Sequence, residues 1–263
     1  MTLKPVDLLA AQRLPLFQNL DPTTFAQLMN DADLRSVARG VQLVAEGEVA
    51  DSLHILIEGS VELEAGWNER HSTLALLRPL ATIALASVVL EAPALMNART
   101  ITRCKVLTMP GAALRYAARR DTTLAYGLAE ELSGCYSSVV RALKNNKLRG
   151  AQDRLSNYLL AQQTRQGGQM VFKLPCQKRI LASLLGMTPE NLSRAFASLA
   201  VHGVTVNGAV VTLARRSALS RLAKPATMID GASAPGLANL GQAERERRRC
   251  GVGANAAALT TER

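Results

Sequence analysis

Two short amphipathic segments joined at a glycine constrain this chain more than any other feature in it. In Lys178-Arg179-Ile180-Leu181-Ala182-Ser183-Leu184-Leu185 the apolar residues fall at 180, 181, 184 and 185, the spacing of one helix face. Gly186-Met187-Thr188 follows, with Gly186 where a left-handed turn residue is wanted. Thr188 is suited to cap the next helix and Pro189 to its first position, where a missing N–H costs nothing. From there Leu192, Phe196 and Leu199 share one narrow arc, while Glu190, Ser193, Arg194 and Ala197 share the opposite one. This is the sequence form of a helix-turn-helix. Downstream, Asn207-Gly208 separates two β-rich runs, Val204-Thr205-Val206 and Ala209-Val210-Val211-Thr212-Leu213, a strong hairpin signal. A helix-turn-helix followed by a hairpin predicts a winged helix.

Charge is concentrated on the same segment. The 263 residues carry a net charge of +10, yet residues 1–147 hold 15 basic and 15 acidic residues. Residues 148–224 hold 11 basic and 2 acidic residues, and residues 225–263 hold 5 and 4. A basic winged helix has the electrostatics needed to hold a phosphate backbone, so double-stranded DNA is the expected partner. Glu190 is one of the two acids in this segment, and it stands on the outward arc. An acid facing a polyanion needs a specific role, and accepting from cytosine N4 is one. Arg194, one turn on, suits bidentate contact with guanine, and Ser193 reaches base or phosphate. Glu190, Ser193 and Arg194 are therefore the expected base readers. Lys178, Arg179, Thr188 and Arg215 are expected on the DNA backbone.

The rest of the chain divides into further parts. Residues 21–30 read as a short capped helix. Between Leu34 and Met109, short β-rich runs punctuated by Gly40, Gly47, Gly59 and Gly66 predict a β-roll or jelly roll. Asp121 is placed to cap a long helix reaching about Asn146. Along that helix Ala125, Leu128, Leu132, Cys135, Val139 and Ala142 are spaced 3, 4, 3, 4, 3, the pattern of a coiled-coil seam, which predicts a homodimer. The expected units are a sensing domain over 14–120, a dimerisation helix over 121–147, a DNA-binding domain over 148–224 and a disordered tail over 225–263. The ERERRRC cluster in that tail is expected to be solvated. No apolar run is long enough for a membrane span, and the N-terminus lacks the apolar core of a signal peptide. Cys104, Cys135, Cys176 and Cys250 are scattered, which fits a reducing cytoplasm and argues against a zinc site.

In that order, LPLFQNL, GEVADSLHILIEGSVEL, the long helix and KRILASLLGMTPENLSRAFASL with its wing resemble the Crp/Fnr family of bacterial transcription regulators, over residues 14 to about 224. The resemblance implies an α+β fold: an N-terminal cyclic-nucleotide-binding-like β-roll, a long dimerisation helix and a C-terminal winged helix-turn-helix. GMTPENLSRAF is similar to the family's recognition helix in its Fnr-like form, which implies an inverted repeat with TTGAT-like half-sites read by Glu190, Ser193 and Arg194. Together with the apolar run described next, it is similar to a branch associated with ferrous-iron uptake genes. RNA polymerase is a further candidate partner.

Cyclic-nucleotide binders of this family carry a phosphate cassette, a Gly-Glu pair and then an Arg-Ser/Thr-Ala run. Here Ile83-Ala84 stand at the first place, and about Met96 stands at the arginine, followed by Asn97-Ala98. Arg99 fits only with a shifted alignment. Burying a phosphate without its cation costs several kcal/mol, so neither cAMP nor cGMP is expected as a ligand. The chain has no cysteine before Cys104, which excludes the family's N-terminal iron–sulfur cluster. His54 and His71 are the histidines in this domain available to haem. The run ATIALASVVLEAPALM suits an apolar ligand, but is expected to be packed shut. Cys135, on the predicted seam, is either a small buried hydrophobe or a redox-active thiol facing its copy. The signal is therefore an unidentified small molecule or a redox change.

Two other classes fit less well. A metal-dependent enzyme on a cupin-like roll wants two histidines and a carboxylate converging, and His54, His71 and His202 supply that poorly. An architectural DNA binder has no need of the ordered Glu190, Ser193 and Arg194 face. No catalytic residue and no metal site is expected.

Overall fold

The computed structural model describes residues 5–231, with side chains from residue 8. The chain opens with α1 (Pro5–Gln12), a 3-10 turn at Pro15–Phe17 and α2 (Pro22–Asn30). Asp21 caps α2 by accepting from the amides of Thr23 and Thr24. Six strands follow: β1 (Asp33–Val37), β2 (Gln42–Val44), β3 (Ser52–Glu58), β4 (Val61–Trp67), β5 (Arg70–Leu77) and β6 (Ala81–Ile83). A short helix α3 (Leu85–Leu90) leads to β7 (Asn97–Thr100), β8 (Cys104–Pro110) and α4 (Gly111–Ala118).

The eight strands make two four-stranded antiparallel sheets, ordered β1-β8-β3-β6 and β2-β7-β4-β5. Leu56, Val61, Leu77, Ile83, Ala98 and Val106 fill the roll. The other face of β3 and β8 packs Leu53, Ile55, Leu107 and Met109 against the helices. Ala11 is fully buried there, so the first unit takes in α1 and begins before the expected residue 14.

Asp121 caps the long helix α5 (Thr122–Leu148). Its first half is anchored on its own roll through Leu124, Gly127, Leu128 and the partly buried Leu132. A Cβ on Gly127 would lie 2.9 Å from the Leu16 carbonyl oxygen, so only glycine allows this close approach.

The C-terminal unit holds α6 (Ala151–Arg165), β9 (Val171–Lys173), α7 (Lys178–Leu184), α8 (Pro189–Leu199), β10 (Val204–Asn207), β11 (Val210–Leu213) and α9 (Arg216–Ala223). Leu155, Leu159, Leu181, Leu192, Leu199, Val211 and Leu219 make its core. The wing is a three-stranded sheet, β10-β11-β9. Its register pairs Asn207 with Val210, so the two-residue turn is Gly208-Ala209 rather than Asn207-Gly208. Gly208 alone has positive φ, +58°, as a glycine-first hairpin turn requires.

Residues 225–231, expected as part of a disordered tail, are instead ordered against the rest of the chain. Helix α10 (Thr227–Asp230) docks on α5: Ile229 is buried, and Arg141 donates to the Thr227 carbonyl. Arg149 grips Asp230 with two hydrogen bonds of 2.6 and 2.5 Å, both side chains being largely buried. The rest of that expectation, including ERERRRC and Cys250, falls on residues 232–263, outside the described residues.

Candidate nucleic-acid interface and the cavity behind it

Helix α7 ends in a two-bond glycine cap. The amide of Met187 donates to the Ala182 carbonyl at 3.0 Å and the amide of Gly186 to Ser183 at 2.9 Å. Gly186 itself has φ +62°. This is the Schellman geometry, and it sets the angle at which α8 leaves α7. The Thr188 hydroxyl accepts from the Asn191 amide at 3.3 Å, with Pro189 in the first turn. Thr188 is thus the helix cap, exposed beside the recognition surface.

Leu192, Ala195, Phe196 and Leu199 of α8 are buried, while Glu190, Ser193, Arg194 and Ala197 are exposed. The fold thus brings the three expected base readers onto one solvent-facing surface. The Ser193 hydroxyl donates to the Pro189 carbonyl at 3.0 Å, leaving its lone pairs outward. The Glu190 carboxylate is held below the usual carboxylate range, first by its own backbone amide, then by the Thr188 hydroxyl, with a smaller contribution from Arg194. It is therefore an ionised acceptor.

The expected backbone contacts are less uniform. Lys178 and Arg179 are exposed in the first turn of α7, and Lys178 Nζ lies 5.8 Å from the Phe196 ring centroid. Arg215 is exposed, but its guanidinium donates to the Val201 carbonyl at 2.6 Å. It braces the wing as well as facing solvent.

The predicted seam on α5 is divided. Ala125 and Val139 are exposed, and Leu132, Cys135 and Ala142 are half-buried. Leu128 is a correction: it is 7% exposed and belongs to the core of its own roll, so it has no surface left for a second helix. The exposed apolar residues Tyr126, Tyr136 and Leu143 lie one position further round the helix.

The roll touches the helix-turn-helix directly. On β5, the Thr73 amide donates to the Ser183 hydroxyl of α7 at 2.7 Å, and Leu76 is buried in the C-terminal core. Arg78 donates to Gln162 of α6 at 3.0 Å. These pairs join residues 84 or more apart and carry no local sequence signal.

Behind this contact lies a cavity of about 510 Å³, where a packed core was expected. It is bounded by β4 and β5, by Ala84–Ser87 and Leu95–Met96 of the apolar run, by α5, and by α6 with Leu184, Leu185 and Gly186. Ala84 adopts φ +60°, an unusual conformation for a residue with a side chain. Arg99 is turned away: it donates to the Gly40 carbonyl and to Gln42 on β2. Only apolar and small side chains face the cavity from the two cassette positions.

No histidine lines the cavity. His54 Nδ1 pairs with the Thr108 hydroxyl at 2.9 Å, and burial lowers its pKa. His71 is exposed beside Gly66 at the β4–β5 hairpin. These positions give a haem in the cavity no imidazole ligand. Among the described residues no three His, Cys, Asp or Glu side chains converge as a metal site, and no helix is long and apolar enough to cross a membrane. Cys135 lines the cavity, and burial, reinforced by the Glu131 charge, pushes its thiol up to about 11. That is opposite to the low pKa of an easily oxidised thiol.

Two family matches divide the chain in the same way. Residues 34–121 match the cyclic nucleotide-binding domain, and residues 153–222 match the Crp-like helix-turn-helix domain. The CRP-like cAMP-activated global transcriptional regulator of Mycobacterium tuberculosis is 26% identical over 223 residues, spanning 81% of this chain and 97% of its own. The structure of FixK2 from Bradyrhizobium japonicum superposes with a TM-score of 0.66 at 23% identity, over 74% of this chain and 98% of that one. The c-di-GMP responsive global regulator CLP of Xanthomonas campestris gives 0.63 at 19% identity, over 73% and 99%.

Proposed function

We propose that this chain, which belongs to the Crp/Fnr family of DNA-binding transcription regulators, acts as a homodimer on an inverted repeat with TTGAT-like half-sites, under a signal other than a cyclic nucleotide. The observation that carries the DNA reading is the outward row of Glu190, Ser193 and Arg194 on a helix capped at both its turn and its first residue. An ionised glutamate and an arginine one turn apart offer an acceptor for cytosine N4 and a fork for guanine O6 and N7. Lys178, Arg179 and Arg215 surround them with positive charge for the phosphates.

Support for a dimer comes from α5, whose exposed Tyr126, Tyr136 and Leu143 are apolar surface that a second copy would cover. Relative to the expected seam, the proposed interface is rotated one residue, through Tyr126, Ala129, Ser133, Tyr136, Val140 and Leu143.

Support for a signal of another kind comes from the cassette. The Mycobacterium tuberculosis relative is described as cAMP-activated. In this chain Ala84 and Met96 face the cavity and Arg99 is committed to β2. A cyclic phosphate placed there meets no cassette cation.

Fluorescence anisotropy tests the DNA reading. The protein is titrated onto a duplex carrying the TTGAT inverted repeat and onto a scrambled duplex, at two salt concentrations. Selective binding is the expected result. Equal, steeply salt-dependent binding to both overturns the half-site. Calorimetric titration with cAMP is expected to give no heat of binding, and micromolar binding overturns the reading of the signal.

A further inference from the structure

The cavity has an apolar body and a cationic end. Leu63, Leu77, Leu85, Met96, Leu132 and Leu184 line the body. Its size lies within the roughly 300–1,000 Å³ of small-molecule sites. Arg154, Tyr158, Ala161 and Arg165 line it from α6, at the spacing of one helix face.

The charges on this wall are unevenly matched. Of the acids at the cavity, Asp230 is gripped by Arg149 and Glu131 accepts from the Thr82 hydroxyl at 3.2 Å. Arg165 has no carboxylate within 4.0 Å among the described residues, and Arg78 lies near it, bonded to the neutral Gln162. Burial, with the Arg78 charge, holds the Arg165 pKa down to about 10. Tyr158 is 7% exposed, and its hydroxyl has only the thiol of Cys176 beside it, a weak partner. A half-buried guanidinium without a carboxylate partner and a buried phenol with only a weak thiol acceptor, on one helix face, make a wall that an anion would complete.

We propose that this cavity binds an amphipathic monoanion, a long-chain carboxylate, whose acid end is held by Arg165 and Tyr158 and whose chain lies along Leu77, Leu85, Met96 and Leu132. Its polar contacts lie on the DNA-binding unit, not in the cassette. Such a ligand bridges both units, because the same cavity reaches Leu184, Leu185 and Gly186. Arg154, on the same wall, donates to the Gly186 carbonyl at 3.2 Å and links the cavity to the turn that aims α8. Filling the cavity then shifts DNA affinity by the ligand's differential affinity for the two arrangements.

This inference rests on the cassette having no use for a cyclic phosphate, and the two fail separately. The probe is cis-parinaric acid, a fluorescent long-chain carboxylate, titrated into the full chain without DNA. Saturable micromolar binding is expected, displaced by palmitate and far less by hexadecanol. Arg165→Gln is expected to weaken binding at least tenfold and Tyr158→Phe about threefold. Met96→Trp, which fills the apolar end, is expected to abolish it. Circular dichroism melts of each variant separate loss of the site from loss of the fold. No saturable binding by the folded wild type overturns the proposal, as does binding insensitive to Arg165→Gln and Met96→Trp. Palmitate failing while cAMP also fails removes only this inference. Binding of cAMP removes the reading beneath it.

Discussion

The molecule has two left-handed turns that matter, at Gly186 and at Ala84, and their φ angles are almost equal, +62° and +60°. At Gly186 the residue suits the conformation. The turn closes with both cap hydrogen bonds, and the recognition helix starts from an unstrained joint. At Ala84 a residue with a side chain takes the same conformation, at a cost of roughly 1–2 kcal/mol. The surrounding roll imposes it, through the pairing of β6 with β3 on one side and α3 on the other. The turn before the recognition helix therefore joins a left-handed backbone to the residue that suits it. The turn at the cavity joins the same backbone to an apolar side chain.

The largest expected effect breaks the DNA-facing side alone. Arg194→Ala removes a base-reading fork and should weaken binding to the TTGAT repeat by about 1–3 kcal/mol, roughly 5- to 150-fold, with little effect on scrambled DNA or on the melting temperature. An equal loss on both duplexes makes Arg194 a phosphate contact. Next is the turn itself. Gly186→Ala places a Cβ 3.4 Å from Asn146 Oδ1, an ordinary contact, so its penalty is the backbone's, about 1–2 kcal/mol in urea unfolding. An unchanged midpoint would mean that the turn relaxes freely.

Smaller effects belong to the sensing side. His54 pairs with Ile83, the neighbour of Ala84, and its pKa is lowered mainly by burial. The unfolded chain takes up this proton first, so its contribution to stability is present above pH 6.5 and is lost as the pH falls below that value. His54→Gln should flatten the drop in melting temperature between pH 7.5 and 5.5. The smallest effect is Ala84→Gly. Relief of strain is offset by the freer unfolded chain, leaving a gain below about 1 kcal/mol. A clear loss of stability would show that the Ala84 methyl is needed for packing.

Legibility followed the range of the interactions. The helix-turn-helix rests on contacts a few residues apart, so Thr188, Pro189 and Gly186 could be placed from the chain alone. The wing was found but its turn lay one residue late, because Gly208-Ala209 satisfies a hairpin as well as Asn207-Gly208 does. Leu128 fits a heptad and the roll's core equally, and the core claims it, so spacing alone misassigns this residue. The cavity was hidden because an apolar run reads the same whether it fills space or lines it. The clasp of Arg149 on Asp230 spans 81 residues and no periodicity announces it.

That clasp changes where the C-terminal unit ends. A boundary at residue 224 follows the winged helix but discards the segment that returns across the elbow between α5 and α6. In mechanical terms the strap of residues 225–231 is a further tether beside the covalent link through Arg149-Gly150 and the contacts of β5 and Arg78 with α7 and α6. Cutting after Lys224 removes one brace from this knee and leaves those contacts to hold it, so a shortened protein would report the behaviour of a looser machine than the full chain.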